Sequence, residues 1–398
     1  MYSIMKIQFL YLINGKKELN MFWESEVDYN NARKVLVIPN ITNSSNIEKD
    51  SFIDVIHNHI KGLDKYGEYY WNVIVPKGKV TKKLNLPNVK QHQVDIPGDM
   101  MNQRGFPSDE LIKILRDVDY DVIYSHLPDW PQVGRYKNSI DTKIIGYCHW
   151  WEMKVCNGVD RRPGKAKWLW LPIELLGVSQ MDTCYLNTQD QKNRVLEEAK
   201  ETFNDEFVQK LDGILNVWNL GVEDSKIISE PNSEKENVIV FNHRAAAYKG
   251  YPKFMELMEE YRTQRQDFKV WIPQLNGIPP HGWVDNAKVA KHDYYKRLQS
   301  CKVGVQMKQT NYGWSVSGTD CMMNGTPMIW HESECYKEID PNGMFFKYKK
   351  TFFEYLDRML DDSEFEAEMS VNAINRAKEL SKNESKMLGE LHKKLYIC

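Results

Sequence analysis

The sequence predicts an α/β protein built from two doubly wound, Rossmann-like domains. Apolar runs alternate with helical patterns along almost the whole chain from Arg33 onward. Several of these runs, such as Asp121–His126 and Lys143–Trp150, are continuous rather than alternating, as strands of a parallel sheet covered on both faces are. The rhythm pauses once, over a Gly- and Pro-containing stretch from about Leu211 to Asn232, and then restarts. At 398 residues the chain is long enough for two such units and too long for one comfortable core.

The first half predicts strands at Lys34–Asn40, Tyr70–Pro76, His92–Pro97, Asp121–His126, Lys143–Trp150 and Asp182–Thr188. Helices are expected over about Lys49–Leu63, over Ser108–Arg116 with Ser108 and Asp109 at its polar start, and from Gln189 to Ala199. The second half predicts strands at Asn237–His243, Phe268–Ile272, Val303–Met307, Pro327–Trp330 and Met344–Phe346. Between them fall helices at Pro252–Tyr261, about Lys291–Ser300, near Asp320, and Phe352–Met359. The tail is helical from Ser363, with Ser363 and Glu366 as a capping box and Phe365, Met369, Ile374, Ala377 and Leu380 at helical spacing. The domains divide as 1–215, 216–362 and a terminal helix over 363–398.

Hydrophobic residues at 42% and charged residues at 27% exclude a disordered or collagen-like chain. The 53 Lys and Arg against 55 Asp and Glu leave a formal net charge of −2, so any contact with nucleic acid requires a local basic patch. The seven cysteines form no CxxC pair, and their odd number fits reduced thiols in a cytoplasm. Met5–Ile13 is apolar but too short to span a bilayer, so a soluble cytoplasmic protein without a membrane span is expected.

The strongest local signal runs from Asn242 to Met258. A strand ends at His243, a small-residue loop carries Arg244 and Lys249, and Gly250 precedes a helix with Pro252 near its start. Arg244 offers a fork of donors and Lys249 a point charge, a pair suited to two adjacent phosphates. The bland alternative is two solvated loop charges. Phe254, Leu257, Met258 and Tyr261 form the buried face of the helix.

A second signal runs from Asn311 to Trp330. The turn Gly313–Gly318 can present backbone N–H groups to an anion, and Asp320 on the following helix can accept two ribose hydroxyls or simply cap the helix. The helix stops at Asn324-Gly325, and Thr326-Pro327 opens the next strand.

The segment Asp320-Cys-Met-Met-Asn-Gly325-Thr-Pro327 resembles the E-A-M-A-x-G-x-P segment of retaining GT-B glycosyltransferases, and Arg244 with Lys249-Gly250 resembles their paired basic residues. In that family the segment holds two glutamates separated by seven residues; the second meets the donor ribose and the first approaches the donor sugar. Those positions here are Asp320 and Tyr312, so one carboxylate is shortened and the other is missing. The resemblance implies a GT-B fold, with two domains facing a cleft and the terminal helix returning to the first. It also implies a nucleotide diphosphate sugar, UDP-sugar above others, as co-substrate and no essential metal. The donor would be bound by Arg244, Lys249, Tyr312, Gly313, Trp314, Ser315 and Asp320. HESE at His331–Glu334 has metal-capable side chains but not the HExxH spacing; Glu332 follows a strand and either faces the cleft or starts a helix.

The acceptor then belongs to the first domain. His149, at the end of a strand in Tyr147-Cys148-His149-Trp150, resembles a histidine of the bacteriophage α-glucosyltransferases that decorate hydroxymethylated DNA bases, although the acidic neighbour of their Y-x-H-D segment is here a tryptophan. His126 and Asp129 form a second strand-end pair, with Asp129 the spare carboxylate for the acceptor side. Trp150, Trp151, Lys154, Arg161 and Arg162 lie in a basic, tryptophan-rich segment suited to backbone phosphates and an unstacked base. Internal packing of its tryptophans is the alternative.

These features imply retaining transfer of a sugar to an acceptor hydroxyl, with His149, Arg244, Lys249 and Asp129 as the catalytic set. The expected acceptor is a hydroxymethylated pyrimidine in double-stranded phage DNA, which would place the protein in a host cytoplasm. The alternative is a polysaccharide, lipid or protein acceptor. A sugar-nucleotide epimerase and a non-catalytic nucleotide- or DNA-binding scaffold of the same fold stay open.

Overall fold

The computed structural model describes residues 31–41, 47–95, 113–114, 120–128, 142–148, 167–308 and 313–396. Among these, two parallel sheets form the framework. The first has seven strands: β1 (Arg33–Ile38), β2 (Tyr69–Pro76), β3 (Val89–Val94), β4 (Val122–Ser125), β5 (Lys143–Tyr147), β6 (Thr183–Leu186) and β7 (Leu215–Val217). Their spatial order is β3-β2-β1-β4-β5-β6-β7, with Val35 opposite both Trp71 and Val122. The second has six: β8 (Glu236–Val240), β9 (Lys269–Trp271), β10 (Val284–Asp285), β11 (Cys301–Gln306), β12 (Met328–His331) and β13 (Met344–Phe346), in the order β10-β9-β8-β11-β12-β13.

The continuous apolar strands behave as their composition requires. In β1, Val35 and Val37 enter one core cluster while Leu36 and Ile38 enter another on the opposite face. Ile144 and Ile145 of β5 divide in the same way. A strand that is apolar at every position is thus covered on both sides. In each sheet the strand order reverses beside the first strand, β1 in one and β8 in the other, which opens a crevice at the C-terminal strand ends.

The helices are α1 (Ser51–Leu63), α2 (Lys167–Val178), α3 (Gln189–Lys200), α4 (Asp205–Ile214), α5 (Tyr251–Gln264), α6 (Lys291–Gln299), α7 (Val316–Met323), α8 (Glu334–Ile339), α9 (Lys349–Asp361) and α10 (Ser363–Tyr396). The two domains and the long last helix give the GT-B architecture. Three local expectations need correction. The stretch read as an inter-domain crossing from Leu211 begins with the end of α4 and then supplies β7, which pairs with β6, so the first sheet extends to Val217. The third strand is Val89–Val94, three residues earlier than expected, because it registers with Trp71–Pro76 of β2. The cap of α10 is Asp362, whose Oδ1 accepts from Phe365 N at 3.0 Å. Glu366, expected in a box with Ser363, instead accepts from Lys235 Nζ at 2.7 Å and from Ser370 Oγ at 2.6 Å. Most of the helix expected at Ser108–Arg116 lies outside the described residues, as does the end of the strand expected at His92–Pro97.

Helix α10 serves both cores. Met369 and Ala373 pack in the second domain, whereas Leu388, Leu391 and Leu395 join the main core of the first. Its far end is tied down by Tyr69 Oη with His392 Nδ1 at 2.7 Å and by Lys143 Nζ donating to Lys394 O at 3.1 Å. Midway, Glu384 accepts from Trp218 Nε1 at 2.7 Å and lies 3.2 Å from the ring of buried His59. A second tie crosses the domains at α8: Glu338 accepts from the backbone N–H groups of Gln189 at 2.7 Å and Asp190 at 2.8 Å, at the start of α3. Arg376 of α10 backs α8 by donating to the carbonyls of Glu338 and Ile339, each at 2.8 Å.

Candidate functional site

The chain leaves β8 at Val240 and passes through buried Asn242 and His243 to exposed Arg244, which bridges in parallel to Gln274. Lys249 closes a short 3-10 turn, Ala247–Lys249, and Gly250 follows with φ 77°. Glycine is needed there twice over: the left-handed conformation disfavours other residues, and a Cβ would stand 2.6 Å from that of Met307. Helix α5 then starts with Pro252 in its first turn.

In this corner two cations are close enough to feel one another. Burial, and then the charge of Arg244, depress the Lys249 ammonium to about 8. Burial, with a contribution from Lys249, lowers His243 to about 3, so the imidazole is neutral at physiological pH. An anion seated between Arg244 and Lys249 would relieve the repulsion between them. The facing wall belongs to the first domain. Asp50 caps α1 by accepting from Phe52 N at 2.9 Å, and burial raises its pKa while the field of Arg244 opposes that rise.

The second motif is joined to the first by Asn242. Its Nδ2 donates to Tyr294 Oη at 2.7 Å and to Ser317 O at 2.9 Å, and Tyr294 Oη in turn lies 3.1 Å from Asp320 Oδ2. Arg244, Lys249 and Asp320 are thereby gathered at the C-terminal edge of β8 and β11. Asp320 is half-buried on α7, with Tyr294 set between it and the end of β8. A carboxylate in this position can accept from vicinal hydroxyls of a ligand.

Other residues expected at the donor side have different surroundings. Ser315 is buried; its Oγ donates to Gln306 Oε1 at 2.7 Å and accepts from Gly318 N at 3.2 Å, as the cap of α7. Trp314 packs against apolar clusters of both domains, at the seam between them. Gly313 is half-exposed and has no heavy atom within 4 Å of where a Cβ would be. On the acceptor side His126 is fully buried at the end of β4, edge-on to the rings of Tyr124 and Tyr147 at 5.0 and 5.8 Å. His149, Asp129, Trp150, Trp151, Lys154, Arg161, Arg162 and Tyr312 lie outside the described residues.

Asn242, Tyr294 and Gln306 were not singled out by sequence. Gln306 did leave a sign, a polar residue closing the apolar run Val303–Val305, and Asn242 likewise ends an apolar strand. Tyr294 left none, because its role depends on α6 packing beside α7. The cysteines described, Cys148, Cys184, Cys301, Cys321 and Cys335, are buried free thiols. Among the described residues no three His, Cys, Asp or Glu side chains group as metal ligands, and no helix is long and apolar enough to cross a membrane.

No protein-family model matches the chain, and no curated protein matches it in sequence. Solved structures match it in fold. The HepE protein of Anabaena in complex with UDP and glucose aligns over 90% of this chain and 99% of its own, at 11% identity and a TM-score of 0.63. Sucrose-phosphate synthase from Thermosynechococcus elongatus aligns over 92% and 99%, at 12% identity and a TM-score of 0.65. The E. coli trehalose-6-phosphate protein bound with UDP-2-fluoro glucose aligns over 91% and 99%, at 11% identity and a TM-score of 0.62. Likeness at such identity is likeness of fold, and it extends over both domains.

Proposed function

We propose that the protein is a retaining glycosyltransferase that moves a sugar from a nucleotide diphosphate sugar to an acceptor hydroxyl. The observation that carries this is the gathering of Arg244, Lys249 and the Asn242–Tyr294–Asp320 chain at one strand-end crevice. Arg244 and Lys249 would neutralise charge that develops on the leaving diphosphate, and they would do so most strongly in the transition state. Asp320 would hold the ribose. These two cations supply the charge stabilisation for which a metal ion is used elsewhere, so no essential metal enters the proposal. As the resemblance to retaining enzymes implies, the leaving phosphate would accept the acceptor proton on the face it leaves. A UDP-hexose is favoured as donor because the structures of like fold from Anabaena and E. coli hold UDP with glucose and UDP-2-fluoro glucose.

For the acceptor, a carbohydrate hydroxyl is favoured by the same comparison, since the proteins of like fold are named for sugar phosphates or hold glucose. A hydroxymethylated pyrimidine in DNA depends on the basic segment around Trp150–Arg162 and remains the second arm of the test. His149 and Asp129 would orient the acceptor hydroxyl from the first domain, whose sheet runs to Val217, with the second domain carrying the donor.

The test is a mass-based transfer assay crossing UDP-, GDP- and ADP-sugars with a panel of mono- and oligosaccharides, hydroxymethylcytosine DNA and unmodified DNA. A hexose gain on a saccharide supports the main acceptor reading, and a gain confined to modified DNA replaces it with the other. Arg244→Ala should reduce transfer by about 100- to 1,000-fold. Failure of every nucleotide sugar to bind would remove the proposal altogether.

A further inference from the structure

His243, between Asn242 and Arg244, carries a buried polar atom to which phosphate and ribose binding give no task. The residue is 4% exposed, its ring lies edge-on to Phe241 at 5.5 Å, and its Nε2 has no hydrogen-bond partner. A polar atom left unpaired in an interior costs free energy, so its retention calls for a use.

The two ring nitrogens differ in their surroundings. A hydrogen bond with Gln306 favours the protonated ring, whereas burial and the charge of Lys249 act against it. Because Nε2 is unpartnered, the nitrogen that meets Gln306 is Nδ1. Gln306 Nε2 is committed to Met307 O at 3.1 Å, and its Oε1 already accepts from Ser315 Oγ. That oxygen has a second lone pair, so Nδ1–H donates to it and the neutral ring keeps its own lone pair on Nε2. The cation that bears on this ring is Lys249. Its turn is pressed close, since a Cβ on Gly250 would meet Met307 and the carbonyl of Lys308, the residues just after Gln306.

We propose, on the donor reading of Arg244 and Lys249, that His243 is a positioning residue whose Nε2 accepts one N–H of the Lys249 ammonium while a bound diphosphate takes the others. An ammonium is a point charge with three donors on a flexible stem, and an anion alone fixes it poorly. An acceptor on the inner side leaves its remaining donors directed at the ligand. From Gln306 the same network continues through Ser315 to the start of α7, the helix that carries Asp320. Lys249 and Asp320 are therefore backed by one line of buried groups.

Two substitutions divide the ring between its nitrogens. Asparagine reaches about as far as Nδ1 and keeps the bond to Gln306, whereas glutamine reaches Nε2 and keeps an acceptor there. Titration with UDP near neutral pH should show His243→Asn weaker by about tenfold and His243→Gln within about twofold of the wild type. As pH rises above about 8 and Lys249 loses its proton, the wild type should lose this advantage, so its curve and that of His243→Asn should converge. Loss from damaged packing would instead keep the curves parallel. Nitrogen NMR of the wild type checks the tautomer without a substitution: Nε2 should resonate as an unprotonated nitrogen and shift when UDP is added. The proposal fails if Nε2 carries the proton, if the two variants lose equally, if His243→Asn matches the wild type, or if the curves stay parallel. A wild type that does not bind UDP removes the donor reading as well, whereas UDP binding indifferent to His243 removes this proposal alone.

Discussion

Tyr294 Oη stands 3.1 Å from Asp320 Oδ2 and accepts from Asn242 Nδ2 at 2.7 Å, so a phenol links the carboxylate on α7 to the end of the first strand of the second sheet. Burial raises the Tyr294 hydroxyl well above its ordinary value, with the Asp320 charge adding to the shift. The phenol therefore stays protonated and donates. Its hydrogen bond sets the direction in which a carboxylate shorter by one methylene than glutamate presents its oxygens.

Removing that donor should matter to ligand and fold together. Tyr294→Phe should lower stability by about 1 kcal/mol and weaken UDP several-fold, read by denaturant unfolding and by titration. A variant that loses stability without any change in UDP affinity would show that Asp320 is not positioned by the phenol.

The depressed Lys249 gives a pH dependence with a definite sign. Below about 8 the side chain is a cation and supports an anion; as pH rises through that value it deprotonates and UDP affinity should fall. A bound diphosphate favours the protonated form, so binding near pH 8 should take up a proton, visible as a binding enthalpy that varies with the ionisation enthalpy of the buffer. Lys249→Met should abolish both the proton uptake and the slope.

The tie between the domains should be separable from the chemistry. Glu338→Ala removes the acceptor for the N–H groups of Gln189 and Asp190. The variant should give a larger radius of gyration in solution scattering and a stability loss of about 1–3 kcal/mol. An unchanged scattering profile would mean that the packing of α3 on α8 holds the domains without it.

Glu384 anchors the returning helix beneath the first domain. Glu384→Ala would leave Trp218 Nε1 without its acceptor and should cost about 2–3 kcal/mol in chemical unfolding. Gly221→Ala should be damaging too, because a Cβ there meets the Glu384 side chain directly. Its loss should persist in a Glu384→Ala background, because alanine keeps the Cβ that the new methyl would meet.

The fold was legible because strand composition reports burial on both faces. Lys34–Asn40, Tyr70–Pro76, Lys143–Trp150 and Asn237–His243 each overlap an observed strand and begin within one residue of its start. Legibility failed where a local pattern had two uses. Leu215–Val217 resembles a linker because it follows a helix directly and is three residues long; only its pairing with β6 makes it a strand. Glu366 three residues after Ser363 has the form of a capping box, yet buried Lys235 needs a counter-charge and Glu366 provides it, while the preceding Asp362 caps the helix. Ser315 stood in a turn suited to a ligand, and its hydroxyl is committed to Gln306 and the start of α7.

The sequence by itself determined the two parallel sheets, most of their strands and the two motifs that carry Arg244, Lys249 and Asp320, because periodicity, turn residues and charge are local properties that a short window contains. Tertiary structure alone decided the rest. Asn242, Tyr294 and Asp320 lie far apart in the chain and meet only because β8, α6 and α7 pack at one edge. The N–H groups that open α3 find the Glu338 carboxylate of the other domain for the same reason: spatial order in a doubly wound sheet is not chain order, and polar groups become partners by packing rather than by sequence distance.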